Sequence, residues 1–298
     1  MDYILVTRKL TRPLKNTFLL ISLRCFLTLS LLITWHTSAR TTITEPTKQL
    51  RIVTLSPHLT EIVYALGKGA QLVAVSDYSD FPAAASTLRS VASYQGANIA
   101  EIIRLQPTHI LVWRGGNKDA DIEKLKALNM SVYESSINSV DTLLADIISI
   151  GDTIDASLEA KTIVKQLNES ITAMSIDYKD LSKSVVYYLS TQPLVGLGND
   201  KWLNSLLGLC GITNIYANSP SAYPQLQMAD IIRKQPEVLI AGMNVDKKHS
   251  EQFWSPHKQV LNSDIAVANP DALHRFTPRA IIEMARLCKT VYPEISLR

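Results

Sequence analysis

The side chains able to do chemistry are few and dispersed along this 298-residue chain. Six histidines could furnish a metal centre, but they lie scattered without the spacing that turns imidazoles toward one ion. Gly196 and Gly198 in the stretch VGLGND follow an apolar run, as a dinucleotide loop requires. The third glycine of that fingerprint is absent, because its position holds Lys201. No G-x-S-x-G elbow, H-E-x-x-H helix or P-loop occurs. The residue types therefore argue against an enzyme and against a resident cofactor or metal. Two pairs remain. Cys210 and Cys288 could bridge, and Glu101 and Asp230 occupy matching places in an internal repeat.

That repeat leads to the elements that position the rest. Ala100-Glu101-Ile102-Ile103-Arg104-Leu105-Gln106-Pro107 is matched by Ala229-Asp230-Ile231-Ile232-Arg233-Lys234-Gln235-Pro236, at a constant offset and before an apolar strand in each case. It predicts two lobes of like architecture, each with an acid at the same point of the same helix. Short apolar runs alternate with helical patterns throughout, which argues for α/β layers with parallel sheets. Strands are expected at 51–55, 71–75, 108–113 and 131–134, then at 185–189 and 238–241. Ser56 should cap a helix that opens at Pro57 and stops at Gly67. Asn98 should cap the repeat helix before Pro107. Residues 139–182 carry helical periodicity and no strand pattern. The expected organisation is thus an N-terminal α/β lobe (50–138), a helical connection (139–182) and a C-terminal α/β lobe (183–298), with no flexible linker. A cleft between two such lobes is where a small ligand would bind.

The first 39 residues read as a secretory signal. Arg8, Lys9, Arg12 and Lys15 precede an apolar run over 17–34, and Thr37-Ser38-Ala39 supplies small residues for cleavage. A retained membrane anchor is the alternative, although Arg24 interrupts the run. That segment holds five of the basic residues and one acid, so the net charge falls from +3 to −1 without it. The basicity therefore implies no nucleic-acid partner. Of three cysteines, Cys210 and Cys288 remain, and an even pair in an oxidising compartment reads as a disulfide, with two buried thiols as the alternative.

The motifs RIVTLSPHLTEIVYALG, LVAVSDYSDFP, SYQGANI, ILVWRGGN, YPQL and NPDALHRFTPRAII resemble the periplasmic cobalamin-binding family, over about residues 50–292. The resemblance implies a class III periplasmic binding protein: two Rossmann-like lobes on a rigid helix, without large hinge closure. It also implies a monomer that carries cobalamin to an ABC importer of permease and ATPase subunits. Tyr78 and Trp113 match ligand-contacting aromatics, whereas Tyr94 and Tyr223 stand where the family often has tryptophan. The stretch Asp271, Ala272, Leu273, His274 and Arg275 aligns with a contact loop that usually reads Asp-Trp-Phe-Glu-Arg, so two aromatics and an acid are replaced. Trp113 could instead be core. His274 could coordinate cobalt or haem iron, or be an ordinary hydrogen-bonded loop residue. Trp202 and Trp254 read as packing residues. The family's permease-docking glutamates align with Ala100 and Ala229, each followed at once by an acid, so Glu101 and Asp230 are the expected docking pair. The nearest rival is the same fold carrying haem or a ferric siderophore, for which only Arg114 and Arg275 are expected near the cleft.

Overall fold

The computed structural model describes residues 49–295, so the signal-peptide expectation over 1–39 lies outside the described residues. Strand β1 (Ile52–Thr54) runs into Ser56-Pro57, and Pro57 opens helix α1 (Pro57–Ala65), where its missing N–H and fixed φ suit the first turn. Ser56 holds the cap position in extended backbone, but its hydroxyl caps nothing. It lies instead 3.3 Å from His58 Nδ1. Gly67, at φ 72°, supplies the left-handed residue just beyond the helix.

The chain continues through β2 (Leu72–Ser76), β3 (Ser90–Ser93), β4 (Gly96–Ala97), α2 (Ile99–Arg104), β5 (His109–Trp113), α3 (Asp119–Ala127) and β6 (Val132–Ser135). Asn98 caps α2, its side chain accepting the Glu101 N–H at 3.1 Å. These strands form one sheet in the order β4-β3-β2-β1-β5-β6, parallel except for the β3–β4 pair. Two helices follow, α4 (Val140–Thr153) and α5 (Ser157–Asp177).

The second lobe contains β7 (Lys183–Thr191), β8 (Leu194–Gly196), α6 (Lys201–Gly208), β9 (Ile212–Asn214), α7 (Met228–Lys234), β10 (Val238–Ala241), α8 (Lys247–Trp254), β11 (Asp264–Val267), α9 (Pro270–Leu273) and α10 (Pro278–Val291). Its sheet runs β11-β10-β7-β8, with β9 pairing in parallel with the first residues of β7. The repeat is visible in three dimensions. α2 and α7 each end at a glutamine held at φ 47°, Gln106 and Gln235, and the following proline leads into the central strands β5 and β10.

Both sheets are covered on both faces, which is why their strands are apolar on consecutive residues. In β1 and β5, Ile52 and Leu111 face one core while Val53, Ile110 and Val112 face another. In β10, Val238 and Ile240 share the core of Ile52, whereas Leu239 and Ala241 face a third. The shared core continues through Leu143 and Ile147 of α4, Leu167 and Met174 of α5, and Met284 and Leu287 of α10. The two lobes are therefore welded through α4, α5 and α10. The disulfide joins Cys210 to Cys288, both fully buried with Cα atoms 6.0 Å apart, tying α10 to the end of α6. Closing 78 residues stabilises the fold by roughly 4 kcal/mol on a chain-entropy basis.

Candidate functional site

Ligands on open α/β sheets bind outside the carboxyl ends of the strands, and that is where the unusual side chains gather. In the first lobe, a recess of about 180 Å³ is lined by Ser56, Asp77, Tyr78, Tyr94, Trp113 and Asn117, the residues that follow β1, β2, β3 and β5. In the second lobe, a recess of about 320 Å³ is lined by Leu189, Asp200, Trp202, Tyr223, His274 and Phe276. Phe276 and Trp113 connect the two, with ring centroids 5.4 Å apart. A larger groove of about 720 Å³ lies along α5, between Ile148, Val164 and Ile176. Its walls bring no aromatic ring and no paired lobes to one place.

Tyr78 is 77 % exposed and its backbone lies at φ 62°, a region rare for an aromatic residue and met most often at functional sites. A chain of buried hydroxyls holds the turn. Thr54 and Thr60 are 2.7 Å apart, Thr60 and Ser79 3.0 Å, and Ser76 and Ser79 3.1 Å. Trp113 is placed by the turn that follows it. Asn117 Oδ1 accepts the Trp113 N–H at 2.7 Å, and Asn117 Nδ2 donates to the Leu55 carbonyl at 2.7 Å. Gly116 lies flat against the indole, where a β-carbon would fall within the ring. Trp113 is half-buried, with His58 and Phe276 packed edge-on at 5.3 and 5.4 Å.

His58 is buried with no partner for Nε2 among the described residues, and burial, helped by the nearby Arg275, lowers its pKa to about 3. In the second lobe, Tyr223 donates to Asp200 at 2.9 Å, and burial with that bond raises its pKa to about 12. His274 Nε2 lies 2.9 Å from the Tyr187 hydroxyl. Burial lowers the His274 pKa, opposed by Asp200 and Asp271. Among the described residues no three metal-ligating side chains come together, and no helix is long and apolar enough to cross a membrane.

A family model of periplasmic binding proteins matches residues 52–273. The chain belongs to the periplasmic binding protein family. The vitamin B12-binding protein of Vibrio parahaemolyticus is 31% identical over 257 residues, spanning 85% of this chain and 92% of that one. That of Photorhabdus laumondii is 32% identical over 242 residues, 80% and 87% of the two chains. Among solved structures, the periplasmic vitamin B12-binding protein BtuF of Vibrio cholerae superposes with a TM-score of 0.71 at 30% identity, covering 82% of this chain and 96% of that one. The heme-binding protein HutB of Vibrio cholerae shares the fold, with a TM-score of 0.69 at 23% identity over 82% of this chain and all of that one. The class III architecture expected from the sequence is the architecture observed. The family is one of periplasmic solute-binding proteins rather than enzymes.

The structure brings Tyr78, Tyr94, Trp113, Tyr223 and His274 of this periplasmic binding protein to the two recesses. The rest of the 271–275 stretch is placed differently. Ala272 and Leu273 are 2 % and 1 % exposed, their side chains packed into the core. Asp271 is exposed, and its carbonyl accepts from Arg279 at 2.8 Å. Arg275 crosses to the first lobe, donating to Glu61 at 2.8 Å and Asp80 at 2.7 Å. Arg114 pairs with Glu134, so both arginines expected near the cleft are engaged by carboxylates. The docking acids are not free either. Glu101 is held by Arg89 and, at 2.6 Å, by Arg104. Asp230 is held by Arg233, and by Tyr216 at 2.8 Å. Trp202 and Trp254 are buried as expected, yet Trp202 also lines the second recess. Phe276, Asp200 and Asn117 escaped the sequence reading. For Phe276 the only signal was an aromatic two residues after His274.

Proposed function

We propose that this periplasmic binding protein captures a corrinoid of the vitamin B12 type between its lobes and passes it, as a monomer, to an ABC importer of permease and ATPase subunits. Its N-terminal signal is removed on export. The observation that carries the reading is the set of exposed rings, Tyr78, Tyr94 and Tyr223, set around Trp113 and Phe276 at the carboxyl ends of both sheets. A corrin is a broad apolar macrocycle with an amide fringe. Flat rings cover its faces, and the hydroxyls of the exposed Tyr78 and Tyr94 meet the fringe. The B12-binding relatives at about 31% identity support the same cargo.

Haem or a ferric siderophore is the second reading. A ferric siderophore carrying negative charge would need cations in the cleft, and Arg114 and Arg275 are already paired. The test is a titration of the mature protein. Cyanocobalamin should quench tryptophan and tyrosine fluorescence at submicromolar concentration, with haemin a poor competitor. Tyr78→Ala with Trp113→Ala should weaken binding at least tenfold, about 1.4 kcal/mol. An unchanged titration would remove the cleft from the proposal.

Docking belongs to the same proposal. The two acid-bearing helices, with Glu101 and Asp230 beside Ala100 and Ala229, present equivalent surfaces to a two-fold permease. Because each acid is clamped by an arginine, the partner meets acid–arginine pairs rather than bare carboxylates. Glu101 is buried and Asp230 half-buried beneath their exposed arginines, so the two sites orient the encounter more than they tighten it. Glu101→Gln with Asp230→Asn should cut B12 uptake in cells while purified protein keeps its ligand affinity. Normal uptake would reject the docking role.

A further inference from the structure

Tyr187 of β7 is 1 % exposed, and among the described residues its hydroxyl has one hydrogen-bond partner, His274 Nε2 at 2.9 Å. On its other side the ring packs against Gly242, where a β-carbon would collide with the ring edge and the hydroxyl. A buried phenol has one hydrogen and needs an acceptor for it. The imidazole nitrogen is the acceptor within reach, so Tyr187 donates and Nε2 is unprotonated. A neutral imidazole then carries its hydrogen on Nδ1.

His274 is kept neutral because burial disfavours its charged form. Among the described residues Nδ1 has no hydrogen-bond partner, and it is not one of the buried atoms left unpaired, so it is open to the second-lobe recess. The other side-chain donors lining that recess are engaged within the protein. Trp202 Nε1 donates to the Leu273 carbonyl at 2.7 Å, and the Tyr223 hydroxyl donates to Asp200. The second Asp200 oxygen accepts the Leu203 N–H at 2.8 Å. His274 is left as the unengaged side-chain donor of that wall.

We propose that Tyr187 is a positioning residue that locks His274 as an Nδ1–H donor, and that this donor selects a ligand whose edge offers an acceptor oxygen, an amide carbonyl or a carboxylate. The inference rests on the interlobe cleft being the binding site. For a corrinoid, it means that a rim amide is met at its oxygen, the reverse of what an acid at this position would do.

Two measurements on the mature protein test it. Long-range proton–nitrogen correlation spectra of histidine-labelled protein, with the His274 signals assigned by their loss in His274→Asn, should show the Nδ1–H tautomer. Tyr187→Phe should convert it to a mixture while near-ultraviolet circular dichroism stays native. Asparagine places an amide N–H near the Nδ1 position, whereas aspartate there only accepts. His274→Asn should therefore bind cyanocobalamin within about threefold of wild type, and His274→Asp about tenfold more weakly. Haemin, titrated in parallel, offers carboxylates where cyanocobalamin offers amides, and the ligand that loses affinity on His274→Asp names the acceptor. An Nε2–H tautomer in the wild type, or equal binding by His274→Asn and His274→Asp for both ligands, would overturn the proposal. A wild-type protein that ignores cyanocobalamin would refute the corrinoid reading instead, and the spectrum would still decide the lock.

Discussion

His58 is carried by α1 into the aromatic floor beneath the cleft, edge-on to both Trp113 and Phe276. Its folded pKa of about 3 lies below the ordinary 6.5, so the unfolded chain takes up a proton that the native state refuses. The stability this residue contributes is fully present above pH 6.5. It drains at about 1.4 kcal/mol per pH unit as the pH falls toward the folded value. His58→Phe keeps a ring in the box and removes the titration. Between pH 7 and 4.5, wild type should lose roughly 2–3 kcal/mol more than the variant in urea unfolding, and parallel profiles would show that His58 ionises in place. Nothing in the sequence marked His58 apart from the other histidines, because its isolation comes from rings contributed by β5 and by the segment before α10.

At the scale of elements, the WRGGN turn shows how a short motif acts. Asn117 ties β5 to the end of β1, while Gly116 lets the backbone lie on the indole of Trp113. Gly116→Ala would push the indole out of place. It should destabilise the fold by about 1–3 kcal/mol and weaken ligand binding in the same titration that reads Trp113. A variant with native stability and affinity would show that the indole needs no such support. Apolar runs over consecutive residues made the central strands legible. The three-residue strands β8 and β9 and the two-residue β4 were not, because so short a segment has no period and is held only by its neighbours. The repeat was legible as well, down to the Gln-Pro corners. The left-handed glutamines that make those corners alike could be seen only in three dimensions.

At the scale of the molecule, the lobes are joined twice, by the shared core and by an ion network at the base of the cleft. Glu61, with its side chain 3 % exposed, accepts from Arg275 at 2.8 Å and Arg279 at 2.7 Å, and Arg275 also reaches the Tyr78 carbonyl at 3.4 Å. The network thus braces the Tyr78 loop of the first lobe from the second lobe. Glu61→Ala should destabilise the protein by about 3 kcal/mol, lowering Tm by about 10 °C. A loss below about 1 kcal/mol would mean that the pairs are solvated and weak. With the core continuous through α4, α5 and α10, closure by a wide hinge would expose apolar surface, so the cleft is held in one shape.

By itself the sequence determined the class of fold and the cysteine pair. Each of these is written in local periodicity, composition or a short motif. Tertiary structure alone decided which way side chains of one short stretch face. Between 271 and 275, two residues enter the core, one lines the recess and one crosses to the other lobe. It also decided that Glu101 and Asp230 are already paired and that Tyr187 meets His274. Those facts depend on contacts between residues as far as 214 positions apart, and such contacts exist only once burial has brought both lobes around one core.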